Sequence, residues 1–299
     1  MIVNTDNLAK LRVGFNGAMK RGLGQAKPAW QRIATKVPAS TKEQRYGWLG
    51  KVPNVREWLG ARVVQNISES DYSIKERPWE LTIGVDRDDI ETDNLGIYAP
   101  LFEEMGLSAA SHPDLLVFAL LVAGFATNCY DGQYFFDVDH PVLAADGVTT
   151  NSVANTDGGA GNPWFLLDVS RALKPIILQE RRGFGDIVAR DKVTDDNVFD
   201  LNEFRYGLDA RYNVGYGFWQ FAWGSKQALD AAHYATARQS LLGMLGDHGR
   251  PLGVNPNLLL CGPSNEKAAR DILLAERLAN GSTNTYQNTA ELLVVPWLV

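Results

Sequence analysis

Cys129 and His140 are the residues whose types suggest covalent chemistry, a thiol and an imidazole within the stretch Cys129-Tyr-Asp-Gly-Gln-Tyr-Phe-Phe-Asp-Val-Asp-His-Pro. A thiol beside an imidazole base is an arrangement for nucleophilic attack, and Asp137, Asp139 and His140 offer carboxylate and imidazole ligands for a metal ion. Neither reading is specific: a Cys-His pair acts only through a spatial contact that spacing does not fix, and Asp-x-Asp-His lacks a second ligand group at a diagnostic spacing. Asp131-Gly132 and His140-Pro141 mark turns, so the stretch reads as a surface loop with a local aromatic plug. The acidic corner Asp86 to Asp93 lacks the central Gly and terminal Glu of a calcium loop and reads as helix caps. Gly262-Pro-Ser-Asn lacks the glycine spacing and the Lys-Ser/Thr of a phosphate loop. Aromatics with Arg205 and Arg211 between Phe204 and Trp223 resemble a base-stacking surface, but the same alternation is what a sheet core requires, and we read it as sheet. Cys129 and Cys261 read as two buried free thiols.

These residues sit in a frame that begins with Tyr72 to Ala126. Trp79, Leu81, Ile83 and Val85 recur every two residues, the spacing of one face of a strand. After the acidic corner, Ile97, Leu101, Phe102 and Met105 recur at helical spacing, and Leu115 to Ala126 is almost wholly apolar. Pro113 should kink or divide that helix. Leu143 to Asn162, rich in Gly, Asn and Thr, reads as an exposed loop. Trp164-Phe-Leu-Leu and Pro175-Ile-Ile-Leu read as strands, and the last seventy residues read helix, strand, helix, strand.

With 299 residues, 45% of them hydrophobic, the chain can bury a sizeable core. Its longest apolar run is short of a bilayer span and its first residues carry no apolar signal core, so no membrane is expected. The formal charge of −6 conceals ten basic against two acidic residues between Met1 and Lys51, a net of +8. Those residues also carry Gly14, Gly17, Gly22, Gly24, Pro28 and Pro38, which predicts an arm with short helical pieces. From Tyr46 to Val85, glycines and tryptophans in turn-punctuated strands predict either a hairpin reaching away from the body, its tip at Asn66 to Asp71, or a plain internal sheet.

Tyr46-Gly-Trp-Leu-Gly-Lys, Arg87-Asp-Asp with Asp93-Asn-Leu-Gly-Ile-Tyr-Ala-Pro, Cys129-Tyr-Asp-Gly-Gln, Phe135-Phe-Asp, His140-Pro, Leu166-Leu-Asp with Ser170-Arg-Ala, Gln179-Glu-Arg-Arg and Gly217-Phe-Trp-Gln stand in one order. Together they resemble the major head subunits of Mu-like transposable bacteriophages, from about Tyr46 to Val299. The resemblance implies an α+β chain of the Hong Kong 97 capsid type. It places a basic N-terminal arm at 1–45, an extended hairpin at 46–85, the spine helix of a peripheral domain at 86–127, loop and peripheral strands at 128–225 and an axial-type α/β domain at 226–299. In the better-known order the axial unit precedes the peripheral strands, whereas here Trp164 to Trp223 resembles those strands and comes first.

The implied function is mechanical: a capsid protein that makes pentamers and hexamers with its own copies in an icosahedral shell. Scaffolding and portal proteins are its implied partners, and packaged double-stranded DNA lies on the inner face. No catalytic residue, cofactor or metal is expected. The place is the virion, after assembly in the bacterial host cytoplasm. Trp48, Trp58 and Trp79 are the expected anchors of the hairpin on a neighbouring subunit, because rigid aromatics bury much area at small entropic cost. Trp30 and Ile33 are the expected anchors of an inter-subunit clamp, and Lys10, Arg12, Lys20 and Arg21 are expected to face DNA. Two rivals remain open: a cargo-enclosing nanocompartment of the same fold, and a thiol enzyme using Cys129 and His140.

Overall fold

The first element is a helix where four glycines argue against one. A computed structural model describes residues 4–49, 71–92, 97–278 and 281–298, beginning with α1 (Thr5–Gln25). Asn4 caps it, its Oδ1 accepting from Asn7 N at 2.8 Å. Strands β1 (Ala34–Pro38), β2 (Glu43–Arg45), β3 (Ser73–Lys75) and β4 (Arg77–Asp86) follow, then the short α2 (Arg87–Glu91) and the long α3 (Tyr98–Ala123). Next come β5 (His140–Leu143), β6 (Thr150–Val153), β7 (Thr156–Gly159), β8 (Trp164–Leu167), β9 (Ile176–Arg182), β10 (Val188–Arg190), α4 (Asp196–Leu201), β11 (Glu203–Tyr216) and β12 (Ala222–Lys226). The chain closes with α5 (Ala231–Leu242), β13 (Leu245–Gly246), β14 (Arg250–Pro251), β15 (Leu258–Cys261), α6 (Glu266–Leu273) and β16 (Glu291–Val294).

The N-terminal segment is therefore one packed helix rather than a loose arm of short pieces. Each glycine weakens an isolated helix by about 1 kcal/mol, but Leu8, Phe15, Ala18 and Met19 bury a stripe against α3 that offsets this. Phe15 stacks on Phe102 with centroids 4.1 Å apart. Two glycines are the contact itself. A Cβ on Gly22 would lie 1.9 Å from the Glu103 carbonyl oxygen, and one on Gly106 would lie 2.1 Å from that of Met19, so the two backbones touch where they cross.

Asp86 caps α2, its Oδ1 accepting from Asp88 N at 2.8 Å, which is the capping role read from the acidic corner. α3 runs unbroken through Pro113. The proline removes one backbone donor, but packing on both sides of the bend-prone turn holds the helix together. Ile97 and Leu101, expected on its inner stripe, are 57% and 45% exposed; the buried stripe is Phe102, Met105, Gly106 and Ala109, then Val117, Phe118 and Leu121. The helix faces α1 through its smallest residues, and that choice turns Leu101 outward. By length and composition α3 could cross a bilayer, yet its apolar stripe is already covered by α1 and the sheets.

Asp114 is the charge inside this stripe, 5% exposed. It accepts from Trp30 N at 2.6 Å and Ala29 N at 3.2 Å, fixing the 3-10 turn Trp30–Arg32 against α3. Burial raises its pKa, and the two N–H donors only partly oppose that. A carboxyl with a folded value above its unfolded 3.8 holds its proton more tightly when native, so stability contributed here falls as pH rises through the interval between the two values.

Two five-stranded sheets carry the rest. The first has the order β1-β9-β11-β10, with β4 on the other edge of β11; the second has the order β16-β15-β8-β12-β7. This redraws three expected boundaries. β1, assigned to the arm, lies parallel to β9 in the first sheet. β4, assigned to the hairpin, pairs with β11 from Arg77 to Asp86. β7, β8 and β12, assigned to peripheral strands in 128–225, share the second sheet with β15 and β16, so the α/β unit does not begin at 226. The exposed loop expected at Leu143 to Asn162 holds β6, which pairs with β5, and β7. β2 and β3 pair, and Tyr46 N donates to Tyr72 O at 2.9 Å, so the chain departs and returns at adjacent points. Of the expected hairpin tip, residues 66–70 lie outside the described residues.

Two apolar cores result. The smaller gathers α1, the first half of α3, Val85, Ile90 and Phe204 to Leu208; the larger gathers the second half of α3, Ala210 to Tyr216 and the second sheet. Gly106→Ala should destabilise the chain by about 1–3 kcal/mol because backbone, not a flexible side chain, must move. Hydrogen exchange should quicken along α1. Gly14→Ala, with nothing within 4 Å of its Cβ, should instead stabilise by about 0.5–1 kcal/mol; equal destabilisation by both would show that the α1–α3 crossing is not the cause.

Candidate assembly surfaces and the Cys129 cluster

The Cys129 stretch is a loop with Tyr134, Val138 and Asp139 at the surface, and its plug of Phe135 and Phe136 is buried together with His140 and Cys129, which is 6% exposed. Thiol and imidazole do not pair directly. Cys129 Sγ donates to Asp131 Oδ1 at 3.0 Å, and His140 Nδ1 lies 2.7 Å from Asp131 Oδ2. Burial, reinforced by the Asp131 charge, pushes the thiol well above its ordinary value. Burial also acts to raise Asp131, but the His140 and Cys129 hydrogen bonds outweigh it and the carboxyl falls below its usual range. A nucleophile needs a thiolate, and this site holds the proton on sulfur. Asp137 turns away to its own backbone, accepting from Tyr134 N and Val138 N. Asp131 and Asn155, central here, lie in stretches whose sequence signals only a turn, at Asp131-Gly132, and a loop, at Leu143 to Asn162.

The expected inter-subunit anchors are placed differently. Trp30 is 8% exposed and Ile33 fully buried in the larger core of their own subunit, because Asp114 pulls the 3-10 turn onto α3 and β1 joins β9. Their side chains are thus not free to clamp a neighbour. Trp79 is half-buried on β4, its Nε1 donating to Tyr212 O at 2.9 Å and its ring 4.4 Å from that of His112. Trp48 is half-buried too, its ring beside Tyr46 and Phe218. Trp58 lies outside the described residues.

The basic positions of α1 face solvent but have acidic neighbours on the body. Lys20 Nζ is 2.6 Å from Asp186, Arg21 Nε is 3.8 Å from Glu103, and the Arg12 charge acts on Asp191. Lys10 is exposed. The four residues are distributed along one helix rather than drawn into a single site.

Several of the ordered sequence words prove to be joints between elements. Asp168 accepts from Ser170 N and Asn255 N at 3.0 Å each, while Arg171 donates to Leu252 O at 2.6 Å and lies over the Phe221 ring. Gln179 accepts from the Tyr46 hydroxyl at 2.9 Å, and Arg181 pairs with Glu76. Sequence reasoning missed the outward apolar group on α4 and β10: Phe199 is 85% exposed, Val188 66% and Leu201 59%. Asn197 holds α4 in place by donating to Arg190 O and Glu203 O.

A profile of the family described as Mu-like prophage major head subunit gpT matches residues 8–298. The chain belongs to that family. It is 42% identical over 306 aligned residues to the major capsid protein of Escherichia phage Mu, covering 100% of both. To the Mu-like prophage FluMu major head subunit of Haemophilus influenzae it is 43% identical over 280 residues, covering 92% of this chain and 91% of that one. The subunit in the procapsid of bacteriophage JBD30 superposes with a TM-score of 0.88 at 41% identity, over 99% of this chain and 100% of that one. The subunit in the JBD30 capsid does so with 0.78 at 31% identity, over 93% of each. The α+β Hong Kong 97-type capsid fold expected from the sequence is thereby shown, as is the role of a structural capsid protein. The nanocompartment and thiol-enzyme readings are left without support.

Trp79→Ala in this head subunit should lower the stability of the folded chain itself by about 2–3 kcal/mol, below the ~3–5 of a fully buried aromatic. Chemical denaturation of unassembled protein measures this; unchanged stability with lost assembly would return Trp79 to the intersubunit role.

Proposed function

We propose that this major head subunit builds an icosahedral shell of pentamers and hexamers around double-stranded DNA, with scaffolding and portal proteins as assembly partners in the bacterial host cytoplasm. The observation that carries the reading is the full-length likeness to a procapsid subunit. A shell subunit repeats heterologous contacts around closed rings, so its surface needs apolar groups that no element of its own covers. The α4–β10 group meets that need, and we assign its occupant to a second copy of this chain, since the shell places copies side by side. Trp48, half-buried where the chain departs toward residue 50, and Trp58 remain the proposed anchors of the excursion between Tyr46 and Tyr72.

Lys10, Arg12, Lys20 and Arg21 are proposed to line the DNA side. Lys and Arg near phosphate release counterions, while an acidic surface would repel the packed polyanion. The Lys20–Asp186 and Arg21–Glu103 pairs keep their basic ends exposed to solvent and are weak, so these charges remain able to respond to phosphate.

Negative-stain microscopy of the purified protein should show rings or shells, and a chain that stays monomeric at high concentration in assembly buffer would refute the proposal. Phe199→Asp should leave folding within about 0.5 kcal/mol of wild type and should sharply reduce the yield of shells; undiminished yield would remove α4 from the interface. Replacing Lys10, Arg12, Lys20 and Arg21 together with Gln should still give closed empty shells but fewer filled heads, most visibly at low salt. Failure to close any shell would make α1 an intersubunit clamp instead.

A further inference from the structure

Three donors of different chemistry converge behind α3. Cys129 Sγ, a carboxylate oxygen of Asp131 and a ring nitrogen of His140 all lie within 4.8 Å of one another. The side chain of His140 is fully buried and that of Asp131 is 11% exposed. We infer that this cluster is a site for a first-row transition ion, with zinc the best match, which ties the turn after α3 to β5 within each subunit. Thiolate, imidazole and carboxylate together suit zinc and not the hard, oxygen-seeking calcium or magnesium.

The surroundings are those a ligating histidine requires. A metal-bound imidazole usually donates its other N–H to a fixed oxygen, which sets the tautomer. His140 Nε2 lies 3.2 Å from Asn155 Oδ1. The orientation of that amide is determined by its neighbours: Nδ2 faces the carbonyl oxygens of Phe135 at 2.8 Å, Ala222 at 3.2 Å and Trp219 at 3.4 Å, while Oδ1 accepts from Asp137 N at 2.9 Å. Nε2 must therefore carry the proton, and Nδ1 is the nitrogen offered to the ion. Trp219 stacks on the imidazole at 3.9 Å and 9°, fixing the plane of the ring. Gln133 N donates to Asp131 Oδ1 at 3.1 Å, so the carboxylate is held as well.

As zinc binds, the thiol proton and any proton on Nδ1 leave to solvent, and no oxidant or reductant is involved. A thiolate, a carboxylate and a neutral imidazole then sum to zero with the ion's two positive charges. To admit bonds of about 2.0–2.3 Å the carboxylate must swing out of its hydrogen bonds to Sγ and Nδ1, leaving a fourth position for water or its second oxygen.

The test uses the full chain expressed in zinc-supplemented medium and purified without chelator. Elemental analysis should find about one zinc per chain. Exchange of that zinc for cobalt should give a near-ultraviolet thiolate-to-cobalt charge-transfer band, a readout that needs no variant. Cys129→Ala loses one hydrogen bond and should fold. It should retain less than about a tenth of the wild-type zinc, lack the cobalt band, and show no fall in Tm on adding chelator where wild type loses several degrees. Wild-type chain that holds no zinc even after refolding with the ion would overturn the assignment and leave a proton-held network in its place. Equal zinc in wild type and Cys129→Ala, or cobalt binding without the thiolate band, would overturn it too.

Discussion

The burial of one continuous stripe of α3 is the interaction on which the remaining architecture depends. Its first half, through Phe102, Met105 and Gly106, closes the smaller core with α1; its second half, through Val117, Phe118 and Leu121, enters the larger one. β11 makes the same passage from Phe204 to Tyr216. Two cores threaded by the same helix and the same strand cannot rotate independently without breaking a long backbone ladder or exposing fully buried aromatics. Within the larger core the Tyr216 hydroxyl fastens β11 to α3, donating to Leu120 O at 2.9 Å. For a shell subunit this stiffness is useful, since identical contacts must recur on every copy.

What could be read from the sequence is what local pattern decides. The period-two run from Trp79 to Val85 is β4, the apolar run after Leu115 lies in α3, and the aromatic alternation from Phe204 is sheet, with Phe204, Tyr206, Leu208, Ala210 and Tyr212 all buried. Partnership was not legible. Nothing in Trp164-Phe-Leu-Leu distinguishes a strand beside β9 from one beside β15, because Ile176 to Gln179 of β9 and all of β15 are buried and both open as apolar runs. The glycines of α1 misled for a related reason: Gly22 and Gly106 lie 84 positions apart in the chain, and only their meeting makes an absent side chain favourable.

The candidate sites divide along the same line. The sequence words Ser170-Arg-Ala and Gln179-Glu-Arg-Arg carried the family resemblance, and the structure makes them joints between elements through Arg171 and Arg181. By contrast, Asp131 and Asn155 have ordinary neighbours and acquire their roles from a fold that brings His140 back across the turn. Tryptophan alone also proved ambiguous. A large aromatic that anchors a neighbour and one that anchors its own core have the same composition and the same local spacing, and only burial separates Trp30 from Trp48.

Most of the large aromatics are spent inside the subunit, which bears on how strongly copies can hold one another. Trp164 and Trp219 are at most 1% exposed, so the surface among the described residues offers mainly aliphatic groups, a few aromatics such as Phe199, Tyr134 and Trp297, and scattered charges. Each such contact is modest, and the entropy lost on docking offsets much of it. In a closed shell, however, a subunit already held on one side meets its next neighbour at high effective concentration, so modest contacts become sufficient once several act together. Weak contacts also release when misplaced, before a ring has closed around an error. A rigid interior with a sparsely apolar exterior therefore favours correct closure over tight pairwise binding, and the cluster under Trp219 belongs to the rigid part of that division.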